Sequence, residues 1–336
     1  MTEPNARLPY LDNAKLAMMF LVIYGHMLEP LVITQQSHCA LTLYLLIYLF
    51  HVPVWVFLAG FTSKVRAGSR GFLSLFSVLV VFQVFYCLIA PNRLANSYEW
   101  ITTPWWILWF LLSLICWKLL LPLALKTRWP VAIAVIIALA AGLSGDIGRP
   151  FSLSRTLVWF PLFLAGHVYG RSLIERTISA TRLTKAAAIG VIVMAACALW
   201  MRPFNFQILY EADSYAAVGI PSIAAGAALR LGHLIAACIL GCACLCLIPK
   251  SQGRLTALGQ RTLAMLVVHP LLVRLFWRAA NPMGLLHSPW LLLVSAAGVT
   301  GLSGILPVHK LVMAISSLAA RLSPTLAGRE LIAGGQ

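Results

Sequence analysis

Charged side chains are scarce in this chain, and acidic ones are the scarcest. Of its 336 residues only 10% are charged, with nine Asp and Glu against 25 Lys and Arg. Hydrophobic residues make up 61%, and the mean hydropathy is +0.89. So little charge excludes an ordinary soluble domain, and with it the nucleic-acid binding that a net charge of +16 would suggest in a soluble protein. The composition predicts an all-α membrane protein.

Apolar runs that can cross about 30 Å of hydrocarbon recur along the whole sequence. We predict ten transmembrane helices, of which the run at 131–143 is the shortest. The runs lie at 14–33, 41–62, 72–90, 105–125, 131–143, 156–170, 186–201, 231–248, 262–279 and 290–316. The predicted organisation is a cytoplasmic N-terminal segment (1–13), one ten-helix membrane domain (14–316) and a short cytoplasmic tail (317–336).

Lysine and arginine cluster after every second predicted helix, whereas the intervening loops carry few cations. The positive-inside rule therefore places both termini and the basic loops in the cytoplasm. The basic residues of these loops are Lys64, Arg66, Arg70, Lys126, Arg128, Arg171, Arg176, Arg182, Lys185, Lys250 and Arg254.

The first helix carries ionisable residues at two depths. Lys15 and His26 are eleven residues apart, which is almost three turns and about 16 Å along one face. Ionisable groups in hydrocarbon are costly unless they meet substrate, water or a partner. Glu29, three residues beyond His26, is close enough to hold the imidazole tautomer. We predict that His26 is a general base, while a histidine that only hydrogen-bonds across helices is the alternative.

Two more histidines lie at a similar depth in their helices. His51 and His269 stand close to prolines, which free backbone carbonyls that a cavity or neighbouring helix must satisfy. We expect them to face one cavity with His26 and to bind substrate. For His51, a structural hydrogen bond beside a kink fits the sequence equally well.

Residues near the predicted outer side suggest contacts to substrate. Arg155, at the outer end of the sixth helix, is predicted to bind an anionic group, although snorkelling to lipid phosphates explains it too. Trp109 lies about a turn inside the fourth helix, where it can stack on a sugar. The long outer loop offers further candidates for sugar contacts, namely Tyr210, Glu211, Asp213 and Tyr215.

Five segments share their order and spacing with a known family. They are Arg7-Leu8-Pro9-Tyr10-Leu11-Asp12-Asn13-Ala14-Lys15, Phe50-His51-Val52-Pro53, Leu58-Ala59-Gly60-Phe61, Trp109-Phe110-Leu111 and Leu258-Gly259-Gln260-Arg261-Thr262-Leu263. With His26 after the first segment and His269 after the last, most of the chain resembles the acyltransferase-3 membrane proteins. It looks closest to the branch described as fucose 4-O-acetylase-like, because the first motif reads Asp-Asn-Ala-Lys.

The resemblance implies a ten-helix enzyme of the bacterial inner membrane, most simply an O-acetyltransferase. Such an enzyme moves an acyl group from cytoplasmic acetyl-CoA or another acyl-CoA to a hydroxyl of a cell-envelope carbohydrate or lipid-linked glycan. The family's basic residue and histidine carry onto Lys15 and His26. Lys15 replaces the arginine of the wider family, so a point charge takes the place of a planar fork.

The expected roles follow from that pair. Lys15 and Arg7 are expected to neutralise the donor phosphates, with Asp12 organising Lys15. Glu29 is expected to orient His26 while it deprotonates the acceptor. No serine or cysteine stands at helical spacing near His26, so direct transfer is the simpler expectation. Membrane lipid is the expected surrounding partner, and the oligomeric state stays open.

A second class of function also stays open. A proton-coupled secondary transporter or flippase would use the same midplane histidines but would need no donor site. The sequence shows no internal repeat and no inverted halves, which weakly disfavours a transporter. No metal site is predicted, because the stripe Cys238, Cys242 and Cys246 fits a small-residue packing face in lipid.

Overall fold

A computed structural model describes residues 8–65, 69–90, 97–220, 222–280 and 288–321. This part of the chain is helical and contains no strand, which confirms the predicted all-α fold. Its α-helices are α1 (Pro9–Ile33), α2 (His38–Phe61), α3 (Ser69–Ile89), α4 (Ser97–Thr102), α5 (Trp109–Ala124), α6 (Pro130–Ala140), α7 (Leu153–Ile178), α8 (Arg182–Met201), α9 (Ile223–Leu247), α10 (Thr256–Gly259), α11 (Thr262–Ala280), α12 (Pro289–Ser303) and α13 (Leu306–Arg321).

The ten predicted apolar runs all form helices, but not all of them have the length of a span. Within the described residues eight helices are long and apolar enough to cross a membrane, and α12 with α13, bent by 54°, makes a ninth if the pair is one span. The run at 131–143 forms α6, whose 11 residues reach only about 16 Å. The count by length is therefore eight or nine instead of ten. The cytoplasmic position of the termini stays a prediction.

Helix α2 lies at the centre of the bundle and packs against α7, α1 and α9. At its crossing with α7, a β-carbon on Gly60 would overlap the carbonyl oxygen of Phe163. Reciprocally, a β-carbon on Gly166 would overlap the carbonyl oxygen of Phe57. The two backbones are thus in direct contact, as small residues allow between membrane helices. This crossing explains the glycine of the Leu58-Ala59-Gly60-Phe61 segment.

The start of α1 is held by the segment that connects α9 with α11. Asn13 Nδ2 donates to the carbonyl oxygens of Pro249 and Ser251 at 2.9 and 3.0 Å, and Asn13 Oδ1 accepts from Thr256 Oγ1 at 2.8 Å. A β-carbon on Gly259 would overlap the carbonyl oxygen of Asp12. The first and last segments of the family resemblance therefore contact each other.

A buried ionic cluster anchors the loop between α8 and α9. Arg230 Nε of α9 donates to Glu211 Oε2 at 2.7 Å, and His233 Nδ1 donates to Glu211 Oε1 at 2.9 Å. Arg230 also donates to the carbonyl oxygen of Ala138 in α6 at 3.0 Å. The exposure of Glu211, Arg230 and His233 is between 3% and 5%. The cluster thus ties the loop to α9 and α6 inside the protein.

The α2–α7 crossing predicts that Gly166→Ala destabilises the protein. The added methyl group overlaps the backbone at Phe57, so the helices must separate, which we expect to cost about 1–3 kcal/mol. Thermal unfolding of detergent-purified protein measures the effect. Gly190→Ala in α8 is the matched control, since apart from the local backbone of α8 nothing lies within 4 Å of its added carbon. Equal melting temperatures for the two variants would contradict the close crossing.

The buried cluster predicts that Glu211→Gln is strongly destabilising. The variant leaves the Arg230 guanidinium buried without its counter-charge, a change that costs about 3–5 kcal/mol in comparable pairs. Glu175→Gln is the control, because the side chains of its pair with Arg171 are 65% and 89% exposed and such surface pairs contribute about 0–1 kcal/mol. The same thermal measurement applies, and similar losses in both variants would refute the anchoring role.

Candidate functional site

One cavity brings together residues from five parts of the sequence. It has a volume of about 390 Å³ and lies between α1, α2, α5, α7 and the loop before α9. Five predicted site residues line it, namely His26, Glu29, His51, Trp109 and Arg155. We call it the His26 cavity. Its size and its mix of aromatic and polar walls are typical of small-molecule sites.

His26 lies in the wall of this cavity. The residue is 8% exposed, and its Nδ1 is buried without a hydrogen-bond partner. Glu29 Oε2 lies 3.7 Å from that nitrogen, too far for the predicted hydrogen bond but close enough to stabilise a positive charge on the ring. The imidazole also makes an edge contact with Trp106, at 5.1 Å between ring centroids. One ring nitrogen is thus uncommitted.

His51 and His269 make the same local hydrogen bond, but only His51 lines the cavity. In each, Nδ1 donates to the carbonyl oxygen four residues back, His51 to Ile47 at 2.7 Å and His269 to Met265 at 2.8 Å. This bond leaves Nε2 as the unprotonated nitrogen of a neutral ring. His51 lines the His26 cavity. His269 is fully buried and does not line the cavity, so it is not placed for the predicted direct contact with substrate. It stacks on His26, with ring centroids 5.6 Å apart.

Arg155 and Trp109 form one corner of the cavity. The guanidinium carbon of Arg155 lies 4.9 Å from the centroid of a Trp109 ring, and Arg155 Nε donates to the carbonyl oxygen of Tyr210 at 3.0 Å. The Tyr210 hydroxyl is 2.6 Å from that of Tyr44. Burial raises the pKa of Tyr210 to about 12, so its hydroxyl is neutral at physiological pH.

The four loop residues predicted to contact a sugar lie in different environments. Tyr210 lines the cavity, whereas Glu211 belongs to the buried cluster and Tyr215 is buried. Asp213 accepts two hydrogen bonds from Arg149, at 3.0 and 2.9 Å, which raise the pKa of that arginine. Arg149 itself lines the cavity and was not predicted from the sequence as a site residue.

The sequence interpretation also missed the partners of Glu211. Arg230 and His233 are three residues apart in an apolar helix, and ionisable residues at that spacing share a helix face. That pair was the available signal for a buried ionic cluster. No comparable signal marks Arg149, whose partner Asp213 lies 64 residues away.

A second cavity, of about 200 Å³, lies near the start of α1 and is lined by Lys15, Trp55 and Phe110 among others. We call it the Lys15 cavity. An adjoining cavity of about 380 Å³ shares Leu75 with it and is lined by Lys118. Lys15 and His26 therefore face different cavities along one continuous helix.

Two other predicted donor-side residues lie elsewhere. Asp12 is only 2% exposed and lines neither cavity. Arg7 falls outside the described residues.

An aromatic wall stands between the two cavities. Trp109 lines the His26 cavity, and Trp55 and Phe110 line the Lys15 cavity. The Phe110 ring makes edge contacts with both tryptophans, with centroids 5.8 Å from Trp109 and 6.3 Å from Trp55. Ligands that enter from opposite ends of the bundle would meet at this wall.

Among the described residues four cations line these cavities. Lys15 and Lys118 lie at one end, and at the other lie Arg155 and Arg149, which is paired with Asp213. Within the described ranges no group of three or more His, Cys, Asp or Glu side chains could hold a metal ion.

Comparison with known protein families agrees with this arrangement. A family model described as an acyltransferase domain matches residues 8–308, most of the chain. Comparisons with curated proteins and with solved structures gave no match. The family match supports acyl transfer and does not favour a transporter. The chain, with its bundle of apolar helices, thus belongs to the acyltransferase-3 family and is a membrane acyltransferase.

Proposed function

We propose that this acyltransferase moves an acetyl or other acyl group from acyl-CoA to a hydroxyl of a cell-envelope carbohydrate. The observation that carries the proposal is the position of His26, whose imidazole lines a cavity while its Nδ1 lies 3.7 Å from Glu29 without a hydrogen-bond partner. The same helix presents Lys15 to a cavity at the opposite end. A donor and an acceptor can therefore approach one wall from two sides.

In the proposed reaction His26 removes the proton from the acceptor hydroxyl, and the oxygen attacks the thioester carbonyl carbon. The carbon–sulfur bond then breaks, and the proton passes from the imidazole to the thiolate that leaves. Glu29, at 3.7 Å, stabilises the imidazolium while it carries the proton. His269, stacked on His26, fixes the plane of that ring.

The donor side of the proposal rests on charge and shape. Lys15 and Lys118 supply positive charge for the donor phosphates. Arg7 is proposed to neutralise these phosphates together with Lys15, and Asp12 to organise Lys15. The apolar walls of the two adjoining cavities suit a flexible acyl arm. By the charge bias of the loops this end faces the cytoplasm, where acyl-CoA is found. From the family resemblance we propose a bacterial inner membrane as the location and, from the Asp-Asn-Ala-Lys motif, the fucose 4-O-acetylase-like branch.

The acceptor side rests on aromatic surfaces and hydrogen-bonding groups. Trp109 and Tyr210 offer a ring face and a hydroxyl, and His51 offers an unprotonated Nε2 as a hydrogen-bond acceptor. These groups suit a sugar, which presents both hydroxyls and apolar C–H faces.

Loss of the proposed base predicts loss of transfer. We expect His26→Ala to lower the incorporation of radiolabelled acetyl groups from acetyl-CoA by about 10²–10⁴-fold, the range for a general base. The label is followed into polysaccharide and lipid-linked glycan of isolated membranes. His167→Ala is the control, because His167 lines none of the three cavities described above. Equal labelling by wild type and His26→Ala would exclude His26 as the base.

The proposed donor site predicts that removal of the Lys15 side chain weakens the binding of acyl-CoA. A ligand at about one hundred times its Kd stabilises a protein by about 2.7 kcal/mol, so acyl-CoA should raise the melting temperature of the purified wild type. We expect Lys15→Ala to lose most of this rise, whereas Lys310→Ala, on the exposed surface of α13, retains it. Protection that is independent of Lys15 would contradict the proposed donor site. No protection by any acyl-CoA would contradict acyl-CoA as the donor.

A further inference from the structure

The two arginines of the His26 cavity differ in how their charge is balanced. Arg149 is held by Asp213 through two parallel hydrogen bonds, at 3.0 and 2.9 Å. Arg155 donates only its Nε, to the carbonyl oxygen of Tyr210, and rests on the ring of Trp109. Among the described residues no carboxylate lies within salt-bridge distance of Arg155. The cavity therefore contains one neutralised and one uncompensated guanidinium.

The free end of Arg155 has a defined shape. Nε is committed to a backbone carbonyl and the guanidinium carbon lies over the Trp109 ring, so the two terminal nitrogens remain as a pair of donors. Such a pair matches two oxygens of a carboxylate or phosphate. A partly buried charge that lacks a protein partner is costly, so a ligand anion would remove a cost that the empty cavity carries.

The surroundings of Arg155 suit a sugar that bears this anion. The Tyr210 hydroxyl and the Trp109 ring share the cavity with Arg155, and His26 lines the same space. The carboxylate of Glu29 also lines it but lies beside His26, at 3.7 Å. An acidic sugar bound at Arg155 thus lies in the same cavity as the proposed base, His26.

We infer that the acceptor is an acidic carbohydrate, whose carboxylate or phosphate binds the free terminal nitrogens of Arg155. That the bound sugar is the acceptor of the reaction rests on the proposed function, whereas the anion site itself is argued from the geometry of Arg155. The shared chemistry is an anionic pair of oxygens, which a uronic acid or a sugar phosphate can supply.

Binding to the purified full-length protein is the first test. The probes are methyl glucuronoside, glucose 1-phosphate and methyl glucoside, with inorganic phosphate as a fourth, and the thermal shift of the protein gives each Kd. We expect the wild type to bind at least one acidic sugar roughly thirtyfold or more tightly than methyl glucoside, since a buried charge pair commonly contributes that much. The tighter of the two acidic sugars identifies the anion. Equal affinity for all three sugars overturns the inference, as does phosphate alone binding as well as its sugar ester.

Variants assign the effect to Arg155. Arg155→Gln should abolish the preference for the acidic sugar, and Arg155→Lys, which keeps the charge but not the fork, should retain only part of it. The matched control is the double variant Arg149→Gln with Asp213→Asn, which removes the neutralised pair without changing net charge and should retain the preference. If the control loses the preference and Arg155→Lys keeps it in full, Arg155 is not the anion site. The wild-type comparison decides the matter even if Arg155→Gln does not fold.

A transfer assay separates this inference from the proposed function. Radiolabelled acetyl-CoA is supplied with the acidic or the neutral sugar as acceptor. Equal transfer to both, unaffected by Arg155→Gln, supports the proposed function and overturns the acidic acceptor. Arg155-dependent binding of an acidic sugar without any transfer supports the anion site and counts against the proposed carbohydrate acceptor chemistry.

Discussion

The protein depends on one constraint, which is that polar groups inside an apolar helix bundle must find partners within the protein. Most of them do. Asn13 holds the segment between α9 and α11, His51 and His269 bind carbonyl oxygens of their own helices, and Arg230 is enclosed by Glu211 and the Ala138 carbonyl. His26 keeps an unpaired ring nitrogen, Arg155 donates a hydrogen bond only through Nε, and both residues line one cavity. These two residues therefore have hydrogen-bonding capacity left for a ligand in that cavity.

Close helix packing and the two-ended site are connected. Because Gly60 and Gly166 let α2 and α7 touch, these helices can hold His51 and Arg155 in the same cavity wall. Helix α1 runs through the bundle and presents Lys15 and His26 to cavities at opposite ends. The aromatic wall of Trp55, Phe110 and Trp109 keeps these cavities apart. In the proposed reaction, a donor and an acceptor would approach this wall from its two sides.

Much of the site was predictable, and the misses have physical causes. His26, Glu29, His51, Trp109 and Arg155 were singled out because each is unusual for its place in an apolar or interfacial segment, and all line the cavity. His269 was expected beside them from its depth, but depth does not give the direction in which a side chain points. Glu29 was expected to hydrogen-bond to His26 from spacing alone, and the 3.7 Å distance is set by side-chain rotamers that spacing does not determine.

The sequence by itself determined the all-α membrane architecture, the family and the helix that carries Lys15 and His26, because hydropathy and short motifs are local properties of the chain. It overestimated the number of full-length spans, because the run at 131–143 is too short to cross about 30 Å of hydrocarbon and forms a helix of only 11 residues. Only the tertiary structure decided which residues meet. Arg149 with Asp213, Glu211 with Arg230 and Asn13 with Pro249 are pairings between distant segments. Such contacts follow from how helices cross, and helix crossings depend on the packing of many side chains at once.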